Sequence, residues 1–233
     1  MVAILPAAGL GTRMAEITGG RPKEMLPLKG IPVLQHVLDE CYGGGCRECR
    51  VIGSPHKPEI AAYLAECLHS PYTYSEQLEA RGLADAVRHG AIPAEDALIP
   101  MPDTVYAQKA PTAVLAKLLQ DGAWAAVAVH EVPVEQVERY GIVDFGEDGV
   151  VHSVIEKPAQ SEAPSRYAIA GRFAFCQEAM EWLVEEAQLP NLTELIALGL
   201  SKARPVRAVI VEAEPFDCGS PEGYFAAVEE LSS

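Results

Sequence analysis

The stretch Val2-Ala3-Ile4-Leu5-Pro6-Ala7-Ala8-Gly9-Leu10-Gly11-Thr12-Arg13-Met14, followed closely by Arg21-Pro22-Lys23-Glu24-Met25-Leu26-Pro27, decides how the rest of the chain is read. Val2 to Leu5 is a short apolar run of the kind that forms a buried strand. It empties into a loop of small residues, where backbone N–H groups can face an anion. Gly9 and Gly11 carry no Cβ, so a phosphate can come close to the main chain. Arg13 and Lys23 add full positive charge beside that loop. The stretch has the make-up of a triphosphate cradle.

Neither of the common phosphate loops is present. A Walker A loop ends in Gly-Lys-Ser/Thr, whereas Gly11 is followed by Thr12-Arg13. A dinucleotide fingerprint needs a third Gly or Ala where Met14 stands. Gly9-x-Gly11 alone is no more than a glycine-rich strand-to-helix turn. Pro-Ala-Ala-Gly-x-Gly-Thr-Arg-Met with Lys23 ten residues past Arg13, inside Pro-Lys-Glu-Met-Leu-Pro, is far more specific. It resembles the signature of the sugar-1-phosphate nucleotidyltransferases, most nearly the bacterial glucose-1-phosphate uridylyl- and thymidylyltransferases. The likeness runs in the expected order from Ile4 to Tyr224.

Composition agrees with a small polyanionic ligand. The 233 residues suffice for one large α/β domain, and 49% of them are apolar, enough for a sizeable core. Net charge is −15, from 18 Lys and Arg against 33 Asp and Glu, which opposes binding to nucleic acid or an anionic membrane. Residues 1–30 differ. They hold Arg13, Arg21, Lys23 and Lys29 against Glu16 and Glu24, a net of +2. No run approaches the ~18 apolar residues of a membrane span. The first strand follows Met1 without a basic leader, so a cytoplasmic location is the default expectation. Six cysteines include Cys46-x-x-Cys49 with Cys41 nearby; no second such pair supports a zinc site, and reduced thiols are the simpler reading.

Along the chain, apolar patterns predict strands at Val2–Leu5, Arg50–Gly53, Tyr72–Tyr74, Ala97–Asp103 and Ala123–Val129. Helices are expected from Pro32, at Glu59–Cys67, at Leu83–His89 and at Pro111–Leu119. This alternation argues a mostly parallel sheet with right-handed crossovers. Past residue 130, Gly146-Glu147-Asp148-Gly149 between two apolar runs signals a β-hairpin. Then come a strand at Ala168–Phe175, helices at Glu178–Ala187 and Leu192–Ser201, a strand at Val206–Val211 and a last helix from Pro221. The expected fold is a single α/β domain over 1–233: a Rossmann-like, mixed, mostly parallel sheet flanked by helices, with an inserted hairpin. Residues 1–130 form its nucleotide half and 131–233 its sugar-phosphate half. Ligands in such sheets lie outside the carboxyl ends of the strands.

The resemblance assigns the chemistry residue by residue. Arg13 and Lys23 are the catalytic cations. Ala8, Gly9, Gly11, Thr12 and Arg13, with Gln77 and Gly82, bind the nucleotide, the Gln amide suiting a uracil or thymine edge. Asp103 and Asp217 end strands, and two such carboxylates can share a Mg²⁺ that takes its other ligands from water and phosphate. The family's aromatic-x-Asp-x-Gly motif reads Phe216-Asp217-Cys218-Gly219, with the aromatic next to the aspartate as in the uridylyltransferase branch. Glu156 and Lys157 of Glu-Lys-Pro are the sugar and sugar-phosphate ligands. Gly141 and Gly171 line the sugar pocket, Gly141 letting a hexose pass close to the backbone.

The implied activity is transfer of a nucleotidyl group from UTP or dTTP to a hexose 1-phosphate, glucose 1-phosphate by family precedent, releasing pyrophosphate. A homo-oligomer stays open, because the longer uridylyltransferases carry more helix where this chain runs 16 residues past Asp217. Two other classes are weighed. A catalytically silent sugar-nucleotide sensor could dispense with Lys23, Asp103 or Asp217, and all three are present. A nicotinamide oxidoreductase is disfavoured by the missing third glycine.

Overall fold

A computed structural model describes residues 1–66, 71–92, 94–108, 110–212 and 215–232. Among them, nine strands join in one sheet. Its parallel half has Val2–Pro6 between Cys49–Gly53 and Ala97–Pro100, with Tyr72–Glu76 at the edge beside Cys49–Gly53. Tyr167–Phe175 pairs antiparallel with Ala97–Pro100 on one side and with Ala125–Glu131 on the other. Val206–Ile210 lies parallel to Ala125–Glu131. Of these seven strands only Tyr167–Phe175 therefore opposes the rest, and the expected mixed, mostly parallel sheet is what forms. The hairpin Gly141–Phe145/Val151–Glu156 is present too, attached to the first half of Tyr167–Phe175 through Ala168 and Ile142.

The first strand shows why its run is apolar throughout. Ala3 and Leu5 enter one core, with Val51, Leu98 and Ala126. Val2 and Ile4 enter another, with Ile52, Ala97, Ile99 and Val127. Side chains alternate across a strand, so a sheet covered on both faces needs apolar residues at every position. One cover is the helix Val33–Gly43, which buries Val33, Leu34, Val37, Leu38 and Cys41. On the other face lies Leu83–Gly90, so close that a Cβ on Gly90 would stand 2.6 Å from Ile4 Cγ2.

Boundaries moved by one to three residues. Pro32 is extended and caps the helix from outside instead of opening it. The fourth strand stops at Pro100, which leaves Asp103 in the turn beyond it. The second helix is described as Pro58–Glu66, and Cys67 lies outside the described residues. Cys41, Cys46 and Cys49 are buried free thiols, and no metal-binding cluster of three or more His, Cys, Asp or Glu occurs among the described residues. No helix among them is long and apolar enough to cross a membrane.

Candidate active site

The sheet delivers its polar groups at the carboxyl ends of the parallel strands. Beyond Pro6 the chain stays tied to the second strand by Ala7 N–H donating to Ile52 O at 2.8 Å. Ala7 and Ala8 are buried, while Gly9, Leu10, Thr12 and Arg13 face solvent. Gly11 adopts a left-handed conformation (φ 65°) that lets the chain turn into the short 3₁₀ segment Thr12–Met14. A Cβ on Gly9 would meet nothing within 4 Å, so open space lies beside that backbone.

Lys23 sits on a second 3₁₀ turn, Lys23–Met25. Its ammonium donates to Asp103 Oδ2. Asp103 precedes Thr104–Val105, which pairs antiparallel with Phe216–Asp217. Cys218 N–H donates to Asp103 O at 2.8 Å, and Gly219 N–H donates to Asp217 Oδ1 at 2.9 Å. These ties bring the two aspartates together across 114 residues of sequence. Gly219 marks the meeting point. A Cβ there would lie 2.6 Å from Asp103 Oδ2, 2.8 Å from Asp217 Oδ1 and 3.1 Å from Lys23 Nζ. Arg13 Nη1 stands 3.7 Å from Asp217 Oδ2.

Charge separates the two carboxyls. Burial opposes ionisation of Asp103, but the adjoining Lys23 ammonium outweighs it and holds this carboxyl below its ordinary range. Asp217 is pushed up, first by burial and then by the Asp103 charge. Lys23 resists its own burial through Asp103, Glu24 and Asp217, which keep it protonated. Two acids that repel each other, with a lysine leaning on one of them, are a donor set suited to a hard divalent cation. Cys218, directly after Asp217, is buried, and burial and the two aspartates push its thiol up to about 12.

A cavity of about 280 Å³ opens over this cluster, lined in part by Arg13, Asp103, Arg139, Tyr140, Gly171 and Asp217. A larger one of about 400 Å³ beside His36, Glu40 and Tyr106 contains none of these groups, so chemistry and not size selects the site. Gly171 forms the apex of a bulge. The strand advances four positions, Ile169 to Phe173, while its neighbour advances two, Val129 to Val127. Its φ is 69°, and a Cβ would strike Thr104 Oγ1 at 2.8 Å. Arg172, next in line, points away. Wholly buried, it donates to Glu40 Oε1 at 2.8 Å and Oε2 at 2.5 Å, and to Thr104 O at 2.8 Å.

Gly141, Glu156 and Lys157 form a neighbouring group. Glu156 Oε2 accepts from Thr193 Oγ1 at 2.7 Å. A Cβ on Gly141 would lie 2.9 Å from that Oγ1 and 3.2 Å from Glu156 Oε2, so this glycine makes room for the pair. Lys157 has φ 47°, rare for a residue with a side chain, and its N–H donates to Tyr140 O at 2.9 Å. Its ammonium is 3.9 Å from Glu156 Oε1 and largely exposed.

Gln77 lies apart from the cavity, on a smaller depression shared with Arg81, Asp85 and His89. Gln77 is buried, and its amide donates to Gly82 O at 3.2 Å and Asp85 Oδ2 at 2.6 Å. Both amide protons are thus spent inside the protein. Sequence reasoning missed Arg139 and His130, which both line the cavity. Arg139 had a signal, since it directly precedes Tyr140-Gly141; His130, inside an apolar strand, had none.

A glycine loop with two cations, set over paired aspartates, is an arrangement able to take a polyphosphate together with a divalent ion. Comparison with known proteins narrows the class. The family model described as nucleotidyl transferase matches residues 2–233, and the chain belongs to that family. The UTP--glucose-1-phosphate uridylyltransferase of Haemophilus influenzae is 30% identical over 275 residues, covering 99% of this chain and 92% of its own. A UDP-glucose pyrophosphorylase crystallised with UDP-glucose superposes with a TM-score of 0.87 at 26% identity, covering 100% of this chain and 99% of that one. The UTP-bound UGPase from Acinetobacter baumannii gives 0.83 at 25%, with 98% and 93% covered. The chain is therefore a nucleotidyltransferase by family, and the likeness to uridylyltransferases expected from its motifs is borne out.

Proposed function

We propose that the protein transfers a uridylyl group from UTP, with dTTP as a second donor, to a hexose 1-phosphate, glucose 1-phosphate first, and releases pyrophosphate. The observation that carries this reading is the convergence of Lys23, Asp103 and Asp217 on Gly219, beneath the Arg13 loop. An oxygen of the sugar phosphate attacks the α-phosphorus in line, and the bond to the pyrophosphate oxygen breaks. A phosphate monoester has a second pKa of about 6, so this nucleophile is already anionic at neutral pH and needs no general base. Catalysis is then positioning and charge neutralisation.

Within that reading Arg13, Lys23 and the backbone of Ala8, Gly9, Gly11 and Thr12 take the triphosphate and the departing pyrophosphate. Gln77 and Gly82 hold the base. Asp103 and Asp217 would hold a Mg²⁺, which when bound would supply positive charge to the reacting phosphate. Lys157 and Glu156 receive the sugar phosphate, Gly141 and Gly171 shape its pocket, and Arg139 adds a cation to the cavity wall. The nucleotide half is 1–130 and the sugar half 131–233. Pyrophosphate release, measured for a panel of nucleoside triphosphates crossed with hexose 1-phosphates, with and without Mg²⁺, tests the proposal. Product from UTP and glucose 1-phosphate is expected; product from no pair would favour a silent sugar-nucleotide sensor on the same fold.

A further inference from the structure

Beneath the glycine loop lies a buried charge pair with no part in the chemistry above. Lys57 and Glu24 are 6% and 1% exposed. Lys57 Nζ donates to both oxygens of Glu24 at 2.9 Å and to Ala7 O at 2.8 Å. An ammonium has three protons to donate, so this one is fully committed. Burial pushes Glu24 up and Lys57 down, each against the pull of its partner. A buried pair of this kind is weak evidence for stability, because desolvation offsets the attraction. Its anchoring points are more telling. Ala7 opens the glycine loop, and Glu24 directly follows Lys23. Lys57 comes from a third segment, a turn closed by Lys57 N–H donating to Ser54 O at 2.9 Å.

We propose that Lys57, through Glu24 and the Ala7 carbonyl, is a positioning residue that sets the glycine loop at a fixed distance from Lys23 and so preorganises the phosphate cradle. The inference rests on the nucleotidyl-transfer reading. One ammonium pins both segments that would touch the nucleotide's phosphates, and misplacing either weakens transition-state contacts more than ground-state ones.

The test is the double variant Lys57→Met/Glu24→Leu, which removes both charges at similar volume and leaves neither buried alone. Glu24→Gln, which keeps Lys57 on Ala7, is its companion. Melting temperature, amide hydrogen exchange and steady-state kinetics with each substrate varied are read together. The double variant should melt as wild type does. Amides of residues 8–14 should exchange roughly tenfold faster or more, with those of 49–53 unchanged. kcat/KM for the nucleotide should fall roughly tenfold or more while KM for the sugar phosphate holds; Glu24→Gln should lose less. Wild-type loop exchange and kcat/KM in the double variant would overturn the inference. So would a loss of melting temperature and protection spread over the whole sheet, which would mark the pair as ordinary core. If wild type itself turns over no substrate pair, the functional reading fails, and the loop-exchange contrast still decides the role of Lys57.

Discussion

Lys23 and Asp103, 80 residues apart, form one ion pair that joins the loop after the first strand to the turn after the fourth. Both side chains are mostly withdrawn from solvent, at 15% and 14% exposure, so neither charge is tolerable alone. The same contact places the lysine beside the two carboxylates that would hold a metal.

Asp103→Asn and Asp217→Asn should each lower kcat by roughly 10²-fold or more with the fold intact, because each removes half of one cation site. The losses should not add in the double variant, since either one dismantles the same site. Chelation should abolish activity, and added Mg²⁺ should restore it. Circular dichroism checks the fold and steady-state kinetics the rest; fully additive losses would rule out a shared ion.

The two lysines should fail differently. Lys23→Ala removes a contact that strengthens as pyrophosphate departs, so kcat and kcat/KM should fall together. Lys157→Ala removes a charge that meets the second substrate in ground and transition states alike, so KM for the sugar phosphate should rise and KM for the nucleotide hold. Arg139→Ala should resemble Lys157→Ala. Kinetics with each substrate varied in turn distinguish these patterns, and wild-type constants for Lys157→Ala would make it a solvated cation of negligible effect.

Base choice should be loose between pyrimidines. Uracil and thymine differ by one methyl, worth about 1–3 kcal/mol in a pocket, so UTP and dTTP should both be used. Because the Gln77 amide holds Gly82 and Asp85 in place, Gln77→Ala should raise the nucleotide KM without touching the sugar-phosphate KM. Efficient turnover of ATP or GTP would show that this depression does not select the base.

Arg172→Met should destabilise the fold by about 3–5 kcal/mol, because it strands Glu40 against a buried surface. Burial opposes the charge on Arg172, yet Glu40 overrides it and raises its pKa, and the guanidinium also lies 5.0 Å from the Tyr106 ring. Tyr106 in turn donates to Ala170 O at 2.6 Å, on the bulge that lines the cavity. Replacing Glu40 by Leu in the same protein should recover much of the loss. Urea unfolding measures both.

The order of elements was legible in the chain because its signals are local. Alternate-face burial makes Val2–Leu5 continuously apolar, and Gly146 to Gly149 announce the hairpin turn. The glycine loop was legible for a similar reason: its residues are consecutive, and Gly11 takes the positive φ that its type allows. Asp103 and Asp217 could be nominated as strand-end carboxylates, each equally suited to capping a turn.

Only the tertiary structure decided which groups meet. Asp103, Asp217 and Lys23 converge because Thr104–Val105 pairs with Phe216–Asp217, a contact across more than a hundred residues that no local pattern encodes. It showed that Gly141 also gives clearance for the Thr193–Glu156 bond, and it turned the Gln77 amide inward. Lys57 and Arg172 look in sequence like surface cations; each is buried, since its cost depends on a partner, Glu24 or Glu40, supplied from another segment. Local patterns report what a segment prefers, whereas charge pairing and close approach are properties of distances that exist only after the chain has folded.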